Sequence, residues 1–454
     1  MWCRQRARAA SCAAVALVAA VSLPAADLSP TKRGEQALQS RAFSPPTWTA
    51  LAYKNAWCTW SPKVSTPPEP YAEAFRERYG LHPAPYPNGP YPMGLREANN
   101  LLTRGITTDC LLCHGGSIAG QSYIGLGNAS LDIQALFEDL AVADGRSPKL
   151  PFTFGNVRGT SEAGAMAVYL LGWREPDLRL RTSRLELGLR DDLCEDVPAW
   201  WLLKKKKTMY YTGGGNARSV RSLMQFMLSP LTPRSTFEKE EATFADVQAY
   251  LLSIQPPKYP FPINSSLAAT GAKLFAETCS RCHGTYGEHW TYPNKIVALD
   301  EIGTDPNRFY GISEAFGRHY NASWFGHENQ GWLGDDYQTR PSAGYQAPPL
   351  DGIWATAPYF HNGSAPAVYY VLNSKARPKF FTRSYRTGKA DYDPIKLGWK
   401  VEVLARGAAP DLPPFERRKV YDTTLPGRGN GGHTFGDDLS EEERMAIIEY
   451  LKTL

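Results

Sequence analysis

Two copies of one short motif constrain this chain more than any other feature. Cys110-Leu111-Leu112-Cys113-His114 and Cys279-Ser280-Arg281-Cys282-His283 both read C-x-x-C-H. Two thiols at this spacing can each bond one vinyl side of a haem, and the histidine that follows then presents its imidazole to the iron. Chance places such a motif in roughly a few chains per thousand, so two copies imply covalent haem attachment at both. Other uses of paired cysteines fit less well. A zinc site would have to gather two distant pairs, each carrying its own histidine. A thioredoxin-like pair has no need of that histidine, and a disulfide across so tight a loop is rare.

The beginning of the chain reads as a secretory leader over residues 1–26. Arg4, Arg6 and Arg8 make a basic start, Ala9 to Leu23 is apolar, and Ala25-Ala26 offers a cleavage site. The apolar run falls short of the roughly 18 residues that a membrane span needs. The expectation is therefore a periplasmic or secreted protein with no transmembrane segment once the leader is removed. In an oxidising compartment, Cys58 and Cys194, the two cysteines outside the leader and the motifs, are expected to form a disulfide. The formal charge of +5 moves toward neutrality when the leader arginines go. Nothing in it argues for a nucleic-acid partner or an acidic membrane. The one dense basic run, Lys204–Lys207, is expected to be a solvated face, with a place near haem propionates or a partner as the alternative.

The remaining length exceeds what one hydrophobic core serves well. With 36 prolines and 39 glycines, much of the chain should be irregular between helices. Leu267 to Thr278 reads as a helix leading into the second motif, with Gly271 on its apolar side. Ser440-Glu441-Glu442-Glu443 is a capping box that starts a terminal helix with Met445, Ile448 and Leu451 at helical spacing. In the first half, Arg96 to Arg104 reads as the helix before Cys110, and Thr243 to Asp246 as the cap of a helix ending at Ile254. A proline-rich connector, Gln255 to Pro262, separates the halves. The expected fold is mostly α: two tandem cytochrome-c-like domains, 96–258 and 264–454, with long irregular insertions. An irregular N-terminal wrap over 27–95 precedes them.

The second axial ligands decide what such irons do. No histidine lies between His114 and His283, and His82 is the only upstream candidate. Met166, Met209, Met224 and Met227 suit a core better than an iron, so the first haem is expected to keep an open sixth position. The second half has a single methionine, Met445, but five histidines after the motif. That favours two histidine ligands on the second iron. His433, in a glycine loop before the terminal helix, is the leading choice for metal ligand beside His283, with His361 as its rival.

Tyr345 to Trp354, running into Ala357-Pro358-Tyr359-Phe360-His361-Asn362-Gly363-Ser364, resembles the segment after the second haem in bacterial dihaem cytochrome c peroxidases. That superfamily also contains dihaem dioxygenases, including the rubber oxygenases. In the first half, Tyr210 to Gly214, followed by Ser222 to Gln225 and Pro230, resembles the peroxidase distal segment. Gln225 matches the family's glutamine there, while the glutamate and the displaceable distal histidine are missing. Trp200-Trp201 resembles the aromatic distal wall of the oxygenase branch. The resemblance implies an electron-transfer oxidoreductase with two covalent haem c groups, electrons passing from haem 2 to haem 1, and Gln225 and Trp201 as catalytic candidates. It implies a small redox protein or a quinol-derived donor as partner, and peroxide or dioxygen as co-substrate. A dioxygenase on an apolar substrate and a plain electron carrier are the alternatives.

Overall fold

The structure is a computed structural model that describes residues 28–99, 103–229, 232–327 and 337–454. The expected leader and Pro230 lie outside the described residues. Helix makes up 38% and strand 12% of the structure, so the fold is mixed rather than mostly α. The strands of the described residues form small antiparallel sheets of two or three, because turn residues interrupt every run before a larger sheet can grow. No helix among them is long and apolar enough to cross a membrane.

Two helix crossings organise the interior, and both depend on a glycine. The helix Ser265–Thr278 is capped by Asn264, whose side chain accepts from the Leu267 amide. The helix Glu441–Leu451 starts at the capping box of Ser440 and Glu443. They meet at Gly271, where a Cβ would lie 1.8 Å from the Ala446 carbonyl oxygen. Only a hydrogen at that position lets the backbones approach so closely. The second crossing joins Pro30–Ser40 to Arg234–Ser253. There a Cβ on Gly34 would lie 2.0 Å from the Asp246 carbonyl oxygen. Arg33 closes this crossing with two 2.7 Å hydrogen bonds to the Asp246 carboxylate. Leu38, Phe237, Phe244, Val247 and Leu251 pack beneath it in one buried cluster.

That second crossing corrects three sequence expectations. Pro30–Ser40 falls inside the segment expected to be irregular, which also contains the helices Ala50–Asn55 and Tyr71–Tyr79. Of the stretch 96–104, expected as a helix, the described residues lie instead in or beside paired strands, Leu95–Asn99 antiparallel to Arg104–Thr108, and 100–102 fall outside the described residues. The strand carries Arg96 inward, where its guanidinium bonds Asp109 at 2.9 Å and the Gln39 carbonyl at 2.6 Å. Thr243 does not begin a helix, because Arg234–Ser253 is continuous; its hydroxyl accepts from Arg41 instead. The connector at 255–262 is a loop as read, held where Trp354 Nε1 donates to the Pro257 carbonyl at 2.8 Å.

The expected disulfide is absent. Cys58 is exposed and free, whereas Cys194 is buried and free, with its sulfur 3.6 Å from the Thr160 hydroxyl. Met209, Met224 and Met227 are buried, and Met224 and Met227 belong to an apolar core cluster.

Candidate functional site

Each cysteine–histidine motif forms a single helical turn, Leu111–His114 and Ser280–His283. Asp109 sets the first: its Oδ1 accepts from the Leu111 amide at 2.8 Å while its Oδ2 pairs with buried Arg96. The second continues the helix that carries Gly271. Gly284, with φ of 82°, then reverses the chain, and a Cβ there would strike the Thr291 carbonyl.

Both motif histidines are held neutral. Burial pushes the His114 imidazole down to about 4 and lowers His283 as well, which leaves a ring lone pair for a metal. The Nδ1 of His283 lies 2.8 Å from the Pro348 carbonyl. A carbonyl can only accept, so Nδ1 carries the proton and Nε2 is the free ligand atom. Pro198 is the backbone neighbour of His114 in the same sense, although His114 Nδ1 completes no hydrogen bond. The two proline loops correspond in order: Asp196-Val197-Pro198-Ala199-Trp200-Trp201 against Gln346-Ala347-Pro348-Pro349-Leu350-Asp351. They are also tied together. Trp201 Nε1 donates to the Asp351 carbonyl at 2.8 Å. The Gln346 amide donates to the Tyr211 carbonyl at 2.7 Å, and the Tyr211 hydroxyl donates to the Asp196 carbonyl at 3.0 Å.

What lies opposite each histidine differs. The His433 ring stands 6.4 Å, centroid to centroid, from the His283 ring. Two imidazoles sharing one metal would stand about 6 Å apart, from bonds of about 2 Å and about 1 Å of ring on each side. His433 is placed by a left-handed backbone (φ 44°) and by its amide bond to the Ile302 carbonyl at 2.7 Å. Its Nδ1 is buried with no hydrogen-bond partner, and burial followed by the neighbouring His283 lowers the ring to about 4. The rival, His361, stacks instead on Tyr345 at 4.2 Å. Against His114 lies Trp200, stacked at 4.6 Å and 23°. His82 is engaged elsewhere, its Nε2 lying 3.1 Å from Asn128 Oδ1.

The two catalytic candidates are not brought together. Gln225 donates to the Tyr210 hydroxyl and the Ser222 carbonyl, both at 3.1 Å. Trp201 belongs to a different buried cluster, with Trp354 and Ile448. The lysine run is not the solvated face expected throughout. Lys204 and Lys207 are exposed, but Lys205 pairs with Asp351 at 2.8 Å and lies over the Tyr286 and Trp290 rings. Lys206 is buried, which lowers its ammonium to about 8. Sequence reasoning missed Pro198, the stacking of Trp200, and a set of buried guanidinium nitrogens without acceptors on Arg308, Arg383 and Arg428. Only the order Asp196-x-Pro198 against Gln346-x-Pro348 pointed to the first of these.

Comparison with known proteins places part of this geometry. Residues 344–382 match a family described as RoxA-like, cytochrome c-like. The match contains the Pro348 loop and His361. An uncharacterized protein of Sinorhizobium fredii, y4iJ, is 30% identical over 262 residues, covering 44% of this chain and 41% of that protein. A second from the same organism, y4iM, is 30% identical over 243 residues, covering 46% of this chain and 53% of that protein. The chain thus spans about half the length of the curated relatives it matches. A cytochrome c-like segment points to covalently bound haem c and to a c-type cytochrome oxidoreductase.

Proposed function

We propose that this chain is an exported c-type cytochrome with two haem c groups, one on Cys110, Cys113 and His114 and the other on Cys279, Cys282 and His283. Each sits in its own cytochrome-c-like unit. The observation that carries the reading is the parallel between the motifs: each histidine turn is backed by a proline loop and accompanied by a glycine-dependent helix crossing. The donor set fits haem, since desolvated neutral imidazoles are the ligating form, and the unpartnered guanidinium nitrogens suit the carboxylates of a porphyrin.

His283 and His433 would together hold the second iron, and His114 alone would hold the first. When bound, the haems would supply one-electron chemistry, with electrons received at the second site and used at the first. The chain contributes the connection. The Pro348 loop accepts from His283 and runs through Leu350 to Asp351; Trp201 donates to Asp351; and its neighbour Trp200 stacks on His114. Trp201 therefore reads as a residue between the sites rather than one that touches a substrate. A small redox protein or a quinol-derived donor would deliver the electrons.

For the terminal reaction, peroxide reduction and oxygenation of an apolar substrate remain as two readings. The RoxA-like match favours the oxygenase branch, and so do the neutral partners of Gln225, which supply no acid–base group for peroxide cleavage. Absorption and EPR spectra of the purified protein, oxidised and reduced, with and without carbon monoxide, test the proposal. A pyridine haemochrome count of two, with one iron low-spin and one binding carbon monoxide, is the expected result. Two low-spin irons that bind nothing would leave a plain electron carrier.

A further inference from the structure

The strongest unexplained feature lies between the two motif sites, in a cluster drawn from both halves of the chain. Arg308, on the short helix Asn307–Tyr310, is 4% exposed. Its Nε meets the Glu195 carboxylate. The other Glu195 oxygen accepts from the Gly164 amide at 2.6 Å, so each oxygen of that carboxylate already has a partner. Arg308 Nη1 remains buried with no acceptor. His361, 5% exposed, has its Nε2 in the same condition.

The surroundings hold these two groups together. The His361 ring stacks on Tyr345 at 17° and meets Tyr211 edge-on at 6.1 Å. The Tyr345 hydroxyl donates to the Asp305 carbonyl at 2.7 Å and accepts from the Phe309 amide at 3.0 Å, gripping the chain on both sides of Arg308. His361 is anchored by its carbonyl, which accepts from the Asp196 amide at 2.8 Å. The Arg308 charge acts on His361 and on Tyr345. A buried N–H without an acceptor costs about 1–3 kcal/mol, and more when the donor is charged. An unpartnered guanidinium N–H and an unpartnered ring nitrogen in one cluster call for a common partner, and for a carboxylate the His361 Nε2 tautomer that donates is the one that fits.

We infer that Arg308 and His361 form a clamp for a propionate of the haem attached at Cys110 and Cys113. This deepens the two-haem reading and rests on it. Glu195 acts electrostatically on Cys113, and Asp196, bonded to the His361 carbonyl, begins the Pro198 loop. The clamp therefore belongs to the first site, although both of its members come from beyond the second motif. Arg308 supplies a charged donor and His361 a neutral one, which matches a carboxylate with two oxygens to satisfy.

The test uses the full holoprotein and three variants: Arg308→Gln, Arg308→Lys and His361→Phe. A pyridine haemochrome count on each checks the two-haem reading separately. Spectroelectrochemical titration then follows both irons, the bis-histidine low-spin signal marking the second. Resonance Raman reads the propionate bending band of the first. Arg308→Gln should lower the midpoint potential of the first haem, because loss of a nearby positive charge favours the ferric state, and should move its bending band. Arg308→Lys should keep most of the potential while still moving the band, and His361→Phe should move the band alone. Full haem content with band and potential unchanged in Arg308→Gln and His361→Phe would overturn the clamp, as would changes confined to the second haem. If Arg308→Gln does not fold, Arg308→Lys and His361→Phe decide the matter by the band. A preparation lacking haem at Cys110 and Cys113 would overturn the two-haem reading and the clamp with it.

Discussion

The two cysteine–histidine turns share a motif and a proline loop but face different partners. His283 looks across 6.4 Å at His433, whereas His114 lies against Trp200. The second turn has no buried residue, while the first buries Leu111 and Leu112 in two separate apolar clusters. The difference teaches that C-x-x-C-H fixes a turn and not what stands opposite its histidine. That is set by loops far away in sequence, here Gly431-Gly432-His433 and Pro198 to Trp201.

The largest expected effect comes from erasing that difference. His433→Ala should turn the second site into an open one, so carbon monoxide should bind both irons and the low-spin EPR signal should disappear. Unchanged spectra would remove His433 from the iron. Next come the crossings. Leucine at Gly271 or at Gly34 would force side-chain atoms into the Ala446 or Asp246 carbonyl, at a cost of about 3 kcal/mol in each case. Thermal melts followed at each haem's own absorption would show whether each crossing guards its own site. Equal losses at both haems from either variant would mean that the two units melt as one.

Trp201→Phe removes the indole donor to Asp351 and should cost about 1 kcal/mol. It should slow electron exchange between the haems in stopped-flow traces while leaving both static spectra alone. A rate equal to wild type would take Trp201 out of the connection. The smallest effect concerns Glu162 beside the first site. It is fully buried, and its carboxyl is raised to about 8 by burial and by the neighbouring Glu195. The protonated form is the one favoured by folding. Its contribution is complete below the ordinary glutamate range and is lost as pH rises through about 8. Glu162→Gln should flatten the decline of urea stability between about pH 5 and about pH 9, and an unchanged slope would show that Glu162 stays ionised.

Much of the second half was legible from the sequence. Ser440, Glu443 and Gly271 announce a cap and a close crossing through local chemistry, and the structure has both. The first half was harder, because its crossing helix, Pro30–Ser40, is separated from Cys110 by a long insertion that hides the repeat. Arg96 to Arg104 misled for a tertiary reason. The helical pattern loses to a buried pairing of Arg96 with Asp109 that no local window contains. The same holds for Thr243, a good cap residue that an uninterrupted apolar stripe overrides. At the site, the two turns and His433 could be picked out from the sequence, whereas the stack of Trp200 on His114 and the pairing of Arg308 could not. Trp200 stacks on a ring 86 positions earlier in its own half, and Arg308 pairs with Glu195 from the opposite half, so neither partner lies in a local window.

The glycine crossings also bear on the order in which the molecule assembles. Gly34 meets Asp246, and Gly271 meets Ala446, so each clasp encloses a cysteine turn within a loop that closes only when distant stretches of chain come together. Contacts of such long sequence separation form late in folding. Until they form, the thiols stay on an open strand within reach of whatever modifies them. Afterwards the same clasps hold each turn between two distant stretches of chain.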